Sequence, residues 1–187
     1  MEIRLANTRG FCAGVDRAIE IVKKVIEMHG APVYVKHEVV HNKTVVEELK
    51  RLGAIFVEDI KDIPEGEVVV YSAHGISKAV EFESEVRKLD VFDATCPLVS
   101  KVHAEVNTYA KMGFDCLLIG HKNHPEVEGT MGQFDTSFGG TITLIEDILD
   151  AKKLNFKDSS RLAFVTQTTL SVDDTKEIAL ALNKKFP

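Results

Sequence analysis

Short apolar runs alternate with amphipathic segments of helical length, and this alternation constrains the fold more than any other feature. The first run covers residues 3–6, and apolar residues then recur at helical spacing from Val15 to Ile26 before the run PVYV. The runs AIFV, VVVY and DCLLIG mark further strands along the chain. Strands that alternate with helices predict βαβ units with parallel sheets, and therefore an α/β fold.

The helix boundaries carry local signals of their own. Asn42 is placed to cap a helix that ends at Gly53, and Ser77 is placed to open a charged helix that reaches to about Asp90. Pro97 occupies a position that suits the first residue of a helix. We therefore expect helices to begin at each of these three residues.

The chain repeats itself at an offset of 84 residues. The pattern Cys-x-x-Val-Asp-Arg at 12–17 returns as Cys-x-x-Val-Ser-Lys at 96–101, and His37 and His121 share the same offset. Later matches widen to 94 residues, as an insertion in the second copy would produce. The sequence thus predicts two similar α/β units, residues 1–95 and residues 96–187.

Charge and hydropathy exclude several classes of partner. The net charge of −6 gives no basic surface for nucleic acid. No apolar run approaches the roughly 20 residues of a membrane span, and residues 1–10 lack the features of a signal peptide. Three cysteines without a Cys-x-x-Cys pair argue against disulfides. These observations predict a cytoplasmic protein with no nucleic-acid and no membrane partner.

The distinctive polar residues all follow the carboxyl ends of predicted strands, where open α/β sheets bind ligands. They are Cys12, His37, His41, His74, Cys96, His121, His124 and Thr168. If the ligand edges of the two units face each other, these residues form one shared site.

Cys12 and Cys96 each begin a predicted helix, where exposed amides and the helix dipole favour the thiolate. A free cysteine is more often a small buried hydrophobe, but two at equivalent repeat positions favour metal ligation. Thiolates select zinc, copper(I) or iron–sulfur, and a pair gathered from distant segments suits a cluster better than structural zinc. Cys116 lies inside the run DCLLIG and is predicted to belong to the core.

His41, His74 and His124 lie on edge loops next to the helix starts at Asn42, Ser77 and Pro125. A single histidine there is usually a surface or capping residue. Three at equivalent edges predict a phosphate or diphosphate site, because imidazoles and free helix amides both donate to phosphate oxygens.

Glu126 stands in the first turn of the predicted helix that follows His124. A carboxylate there can simply complement the helix dipole. If the pocket closes over it, desolvation raises its pKa and makes it a proton donor, with Thr168 as the hydroxyl that relays or orients the proton.

Several long motifs closely resemble the 4-hydroxy-3-methylbut-2-enyl diphosphate reductase family, which acts in the methylerythritol phosphate pathway of isoprenoid biosynthesis. They are RGFCAGVDRAI, HEVVHN, SAHG, VFDATCPLVSKVH, GHKNHPEVEGTMGQ and TQTTLSVDD. The resemblance covers essentially the whole chain. It implies three α/β units around a [4Fe-4S] cluster that is held by one cysteine from each unit.

The resemblance also implies a role for each matched residue. Cys12 and Cys96 correspond to cluster ligands, and the three histidines correspond to diphosphate-binding residues. Glu126 resembles the proton source and Thr168 its hydroxyl partner. The implied oxidoreductase reaction is a reductive dehydroxylation to isopentenyl and dimethylallyl diphosphate, with electrons from ferredoxin or flavodoxin.

The third unit of the family, with its cysteine, is not present in these 187 residues. We therefore expect little or no activity from this chain alone. Two alternatives stay open at this point. One is a mononuclear metal hydrolase of phosphorylated substrates that uses His121, His124 and Glu126, and the other is a non-catalytic scaffold that binds diphosphates or a partner chain.

Overall fold

The structure is a computed structural model, and it describes residues 2–7, 9–156 and 159–186. The strands are β1 (Val33–Lys36), β2 (Ala54–Val57), β3 (Val68–Tyr71), β4 (Asp90–Asp93), β5 (Asp115–Ile119), β6 (Ile142–Ile145) and β7 (Leu162–Thr166). The helices are α1 (Ala13–His29), α2 (Lys43–Leu52), α3 (Lys78–Val86), α4 (Pro97–Lys111), α5 (Pro125–Gln133), α6 (Ile148–Lys153) and α7 (Val172–Lys185). Short 3-10 turns cover Ile60–Asp62 and Thr136–Phe138.

The first sheet has four parallel strands in the order β2-β1-β3-β4. Successive strand residues point to opposite faces. Val70 therefore packs into one apolar cluster with α1 and α2, whereas Val69 and Tyr71 pack into a second cluster with Leu89. The sheet is covered on both faces, as parallel sheets require.

The second sheet has three parallel strands in the order β6-β5-β7. Cys116 and Leu118 face a cluster that includes residues of α4 and α5, whereas Leu117 and Ile119 face α6 and α7. Burying one such leucine or isoleucine stabilises the fold by about 1.5–3 kcal/mol. The fold is therefore α/β with two parallel sheets, as the sequence predicted.

The predicted strand at residues 3–6 is wrong. The structure describes residues 2–7 without regular secondary structure, and the side chains of Ile3 and Leu5 are 73% and 69% exposed. An apolar run becomes a strand only when a neighbouring strand accepts its backbone hydrogen bonds, and none within the described ranges does so here. Helix α3 also ends earlier than predicted, at Val86, because Lys88 turns the backbone to a φ of 54°.

The helix starts follow the sequence signals. The side chains of Asn42 and Ser77 accept hydrogen bonds from the backbone amides of Val45 and Val80, and Pro97 is the first residue of α4. The loops that follow the carboxyl ends of strands β1, β3, β4, β5 and β7 all carry candidate site residues. Among the described residues, no helix combines the length and apolar character needed to cross a bilayer.

Candidate functional site

Three imidazoles from both sheets form one cluster. The ring centroids of His41 and His74 lie 5.0 Å apart, and each lies 5.5 Å from the ring of His124. His41 and His74 follow β1 and β3 of the first sheet, whereas His124 follows β5 of the second. The structure thus brings together the three histidines that the sequence singled out. We call them the histidine triad.

Each triad member lies close to the amino end of a helix. His41 precedes the cap residue of α2, His74 lies three residues before the cap of α3, and His124 is itself the cap of α5. The first amides of a helix have no partner within it, and the helix dipole places a partial positive charge there. The surroundings of the triad therefore favour an anion.

Hydrogen bonding selects the tautomer of His124. Its Nδ1 accepts the backbone N–H of Glu126 at 3.1 Å, so the proton of the neutral ring is on Nε2. That nitrogen is a donor for an anion. To bind a metal ion through Nε2, the neutral ring would have to carry its proton on Nδ1 instead. That N–H would then point at the backbone N–H of Glu126, and the hydrogen bond between them would be lost.

Burial and mutual repulsion keep His74 neutral. Its side chain is nearly inaccessible, and desolvation, followed by the positive charges of His41 and His124, lowers its pKa to about 4. Burial also lowers the pKa of His124. These two members of the triad therefore resist protonation more than a free imidazole does.

The loop that carries His41 is anchored at its start by a buried lysine. Lys36 is 5% exposed, and its Nζ lies 2.6 Å from both Nε2 of His37 and the carbonyl oxygen of Glu58. The other nitrogen of His37 lies 2.6 Å from the Glu58 carboxylate. His37 adopts a φ of 62°, an unusual conformation that turns the chain out of β1.

Glu126 is buried beside the triad. The residue is 2% exposed, and its carboxylate accepts two hydrogen bonds from Thr168, one from the backbone N–H at 2.6 Å and one from the hydroxyl at 3.1 Å. Desolvation raises the pKa of Glu126, and the hydrogen bonds from Thr168 only partly oppose this effect. Such a carboxyl group holds its proton to a higher pH than an exposed one.

Gln167 supports this pair and was missed by the sequence analysis. Its Oε1 accepts the backbone N–H of His121 at 3.0 Å, and its Nε2 donates to Thr169 at 2.7 Å. The side chain therefore ties the loop after β5 to the loop after β7. The available signal was a polar residue directly after an apolar run, in the segment TQTT.

Cys12 and Cys96 converge on the start of α1. A Cβ added to Gly14 would lie 2.7 Å from Sγ of Cys96 and 3.9 Å from Sγ of Cys12. The cysteines are the N-cap residues of α1 and α4, and neither thiol makes a capping hydrogen bond. Two sulfurs at helix amino ends that are not used as caps can serve as metal ligands.

Two backbone contacts connect the cysteines to their surroundings. Arg17 of α1 donates to the carbonyl oxygen of Thr95 at 3.0 Å, which holds the amino-terminal part of α1 against the segment before Cys96. The amide of Cys96 donates to the carbonyl oxygen of Ala73 at 3.0 Å. Because Ala73 directly precedes His74, the cysteine pair and the histidine triad share one stretch of backbone.

The remaining cysteine and histidines lie apart from this arrangement. Cys116 is fully buried in β5, and burial raises the pKa of its thiol to about 12, which fits the predicted core role. His29 packs edge-on against Phe92, and His121 is exposed. Within the described ranges, only the triad offers three metal-ligating side chains close enough to share an ion, and His121 is not among them.

Comparison with known proteins identifies the family. The LytB protein family model matches residues 3–187. The chain belongs to the LytB family. Among curated LytB relatives, the 4-hydroxy-3-methylbut-2-enyl diphosphate reductases of Marinobacter nauticus and Alcanivorax borkumensis are 62% and 60% identical to this chain over 187 residues. The match covers all of this chain, which spans about 60% of the length of those relatives.

Solved LytB structures share the fold. The E-1-hydroxy-2-methyl-but-2-enyl-4-diphosphate reductase from Plasmodium falciparum superposes with a TM-score of 0.91 at 47% identity. That match covers 97% of this chain and 56% of the Plasmodium chain. A second structure, of an (E)-4-hydroxy-3-methyl-but-2-enyl diphosphate reductase, gives a TM-score of 0.78 at 32% identity and covers 94% of this chain and 61% of its own.

Proposed function

We propose that this chain provides the diphosphate-binding and proton-donating part of a 4-hydroxy-3-methylbut-2-enyl diphosphate reductase. In the proposed reaction the allylic C–O bond of the substrate breaks, and the hydroxyl group leaves as water. Two electrons and two protons are consumed, one proton by the leaving hydroxyl and one by the allylic carbon. The products are isopentenyl and dimethylallyl diphosphate. The buried Glu126 carboxyl beside the histidine triad is the observation that carries this proposal.

The triad binds the diphosphate in this proposal. His124 presents Nε2–H because its Nδ1 is occupied by the amide of Glu126 at 3.1 Å. His41 and His74 complete a cluster in which one ring nitrogen from each of the three histidines lies within 4.8 Å of the other two. A hydrogen bond to an ionised phosphate oxygen is charge-assisted even from a neutral imidazole, and it is roughly twice as strong as one between two neutral groups. The proton donor of His124 favours this function over the mononuclear metal hydrolase.

Glu126 supplies the proton in this proposal. Its raised pKa keeps part of the population protonated nearer neutral pH, where general acid catalysis is most effective. In this proposal the hydroxyl of Thr168, which lies 3.1 Å from the carboxylate, relays the proton to the substrate hydroxyl. Gln167 contacts Thr169 and His121, and so holds the loop that carries Thr168.

The cofactor that the family implies is a [4Fe-4S] cluster, and the residues present fit part of its ligand set. Cys12 and Cys96 would hold it, because their thiols flank one point and neither caps its helix with a hydrogen bond. When bound, such a cluster passes electrons singly to the substrate. Cys116 is buried inside β5 and is no candidate for the third thiolate. We further propose ferredoxin or flavodoxin as electron donor and the cytoplasm as location.

Anaerobic reconstitution tests the cysteine assignment. We expect the chain to take up iron and sulfide and to turn brown, with weaker retention than a three-thiolate site would give. Cys12→Ser and Cys96→Ser should each abolish uptake, and Cys116→Ser is the matched control that retains it. Equal iron uptake by all three variants would contradict the assignment.

A chimaera tests the reaction itself. The residues that the Marinobacter nauticus reductase has beyond the matched region would be appended to this chain, and reduction of the allylic diphosphate would be followed with dithionite as reductant. We expect turnover by the chimaera, little or none by the 187 residues alone, and its loss in Glu126→Gln. A chimaera that carries iron and sulfide but converts no substrate would overturn the proposal.

A further inference from the structure

Helix α5 connects the candidate site to the first sheet at both of its ends. Its amino end carries His124 and Glu126, and its last residue is Gln133. The Gln133 side chain is 6% exposed although it is polar. A buried amide without partners would be costly, so its hydrogen bonds show what it holds together.

Both polar atoms of the Gln133 side chain make hydrogen bonds to other elements of the chain. Its Nε2 donates to the carbonyl oxygen of Ile76 at 2.9 Å and to the carboxylate of Glu81 at 3.1 Å. Its Oε1 accepts from Nδ2 of Asn107 in α4 at 3.2 Å. Ile76 lies 57 residues earlier in the chain, in the loop that carries His74. The side chain therefore joins α5 to the β3–α3 loop and to α3.

Two glycines let α5 approach that loop closely. A Cβ on Gly132 would lie 2.1 Å from Cβ of Ser77, and a Cβ on Gly129 would lie 3.2 Å from the carbonyl oxygen of Gly75. Contact at this distance fixes the helix against the loop with little freedom. The hydrogen bonds of Gln133 close the far end of the same contact.

We propose that Gln133 is a positioning residue for the histidine triad, which holds α5 against the β3–α3 loop and thereby fixes His124 beside His74. The helix has nine residues and is about 13 Å long, so it moves as a rigid rod. Release of its carboxyl end tilts the rod and separates the two rings, which now lie 5.5 Å apart. The functional meaning of this role rests on the proposed diphosphate site.

The titration of His74 reports the separation directly. Desolvation and the positive charges of His41 and His124 lower its pKa to about 4. If α5 moves away, water enters and the repulsion from His124 weakens, so the pKa of His74 rises towards its usual value of 6.5. The ring protons can be followed by NMR in this chain and assigned with His74→Asn.

Two substitutions release the contact. Gln133→Ala removes all three hydrogen bonds, and Gln133→Glu sets a carboxylate against the Ile76 carbonyl and the Glu81 carboxylate. We expect the pKa of His74 to rise by about one unit in both. Pyrophosphate affinity should fall roughly ten-fold, since the donors no longer converge. Glu81→Ala, at an exposed position, is a milder variant expected to shift the same pKa in the same direction.

Phe134→Leu is the matched control. Phe134 follows Gln133 directly but packs into the core of the second sheet, so its shortening lowers stability without touching the contact to Ile76. We expect an unchanged pKa for His74 in this variant. A Gln133 variant that loses stability like Phe134→Leu but titrates like the wild type would overturn the proposal. If the wild type fails to bind pyrophosphate, the proposed function fails, and the titration still decides the role of Gln133.

Discussion

Thr168 donates both its backbone N–H and its hydroxyl to the carboxylate of Glu126, at 2.6 Å and 3.1 Å. The two residues lie 42 positions apart, one in the first turn of α5 and the other just after β7. The pair therefore connects α5 to the loop after β7 and gives each oxygen of a buried acid one hydrogen bond.

Replacing Glu126 by glutamine should stabilise the protein at high pH. Burial raises the pKa of Glu126 above 4.5, so its contribution to folding is fully present below 4.5 and is lost as pH rises through the native pKa. Glutamine keeps the acceptor for the amide of Thr168 and has no charge to bury. We expect a gain of about 1 kcal/mol at pH 8, or about 2–4 °C in Tm, that vanishes near pH 4.

Thermal unfolding of both proteins from pH 4 to pH 8 checks this expectation. Glu47→Gln, at an exposed position in α2, is the control and should stay within about 0.5 kcal/mol of the wild type throughout. A Glu126→Gln protein that melts well below the wild type at pH 8 would show that the buried carboxylate stabilises the fold rather than straining it.

Two of the three thiols should react rapidly in the native protein. Cys12 is exposed and Cys96 is partly exposed, whereas Cys116 is fully buried and its pKa is raised to about 12. Only thiolates attack disulfide reagents at useful rates. With Ellman's reagent we expect two fast equivalents and a third only after unfolding, and Cys12→Ser should reduce the fast count to one. A third fast thiol in the folded wild type would refute the core placement of Cys116.

The sequence predicted the parts of this fold that depend on neighbouring residues. Asn42, Ser77 and Pro97 mark helix starts because a cap or a first-turn proline acts within three residues of itself. The run at residues 3–6 failed as a strand because its fate depends on a partner strand, which the run itself does not specify. A local pattern shows only that a segment can form a strand, and the strand forms when a neighbouring strand pairs with it.

The sequence predicted which histidines form the candidate site, but not the residues that hold them in position. The histidine triad follows from three equivalent strand ends in a repeated α/β pattern. Gln133 could not be found in this way, because its partner Ile76 lies 57 residues away and the contact depends on how α5 packs against another sheet. Gly14 looked like one more glycine at a turn, and only the positions of both sulfurs show how little room it leaves.

Gly14→Ala should lower iron uptake by the cysteine pair without lowering the stability of the fold. A Cβ there would lie 2.7 Å from Sγ of Cys96, so the sulfur must rotate away, which a single side-chain torsion allows at low cost to the fold. Alanine also favours helix α1 by up to about 1 kcal/mol over glycine. We expect unchanged or higher Tm but a several-fold loss of iron uptake on reconstitution. Lys24→Ala, on the exposed side of α1, is the control for both measurements.

The outcome for Gly14→Ala shows whether iron uptake depends on the free space between Gly14 and the two sulfurs. If the alanine variant takes up iron like the wild type, iron uptake does not depend on the present directions of the two sulfurs. If it loses both stability and iron, the methyl group has displaced backbone as well as sulfur.

Pyrophosphate binding should draw protons into the triad. The low pKa of His74, about 4, arises first from burial and then from the positive charges of His41 and His124. A bound anion replaces that repulsion with attraction, so the pKa rises and the ring takes up a proton from solution. By linkage, affinity then increases as pH falls from 8 to 6, by up to ten-fold per pH unit for each proton gained.

Calorimetry in buffers of different ionisation enthalpy measures that proton count. Pyrophosphate itself titrates in this range and contributes to the proton uptake of both proteins. The proton uptake by His74→Asn is therefore subtracted from the proton uptake by the wild type, and the difference belongs to His74. We expect a positive difference of a fraction of a proton at pH 7 that grows towards pH 6. Equal uptake by the two proteins, with equal affinity, would mean that the anion does not reach His74, and that the triad binds its ligand through His41 and His124 alone.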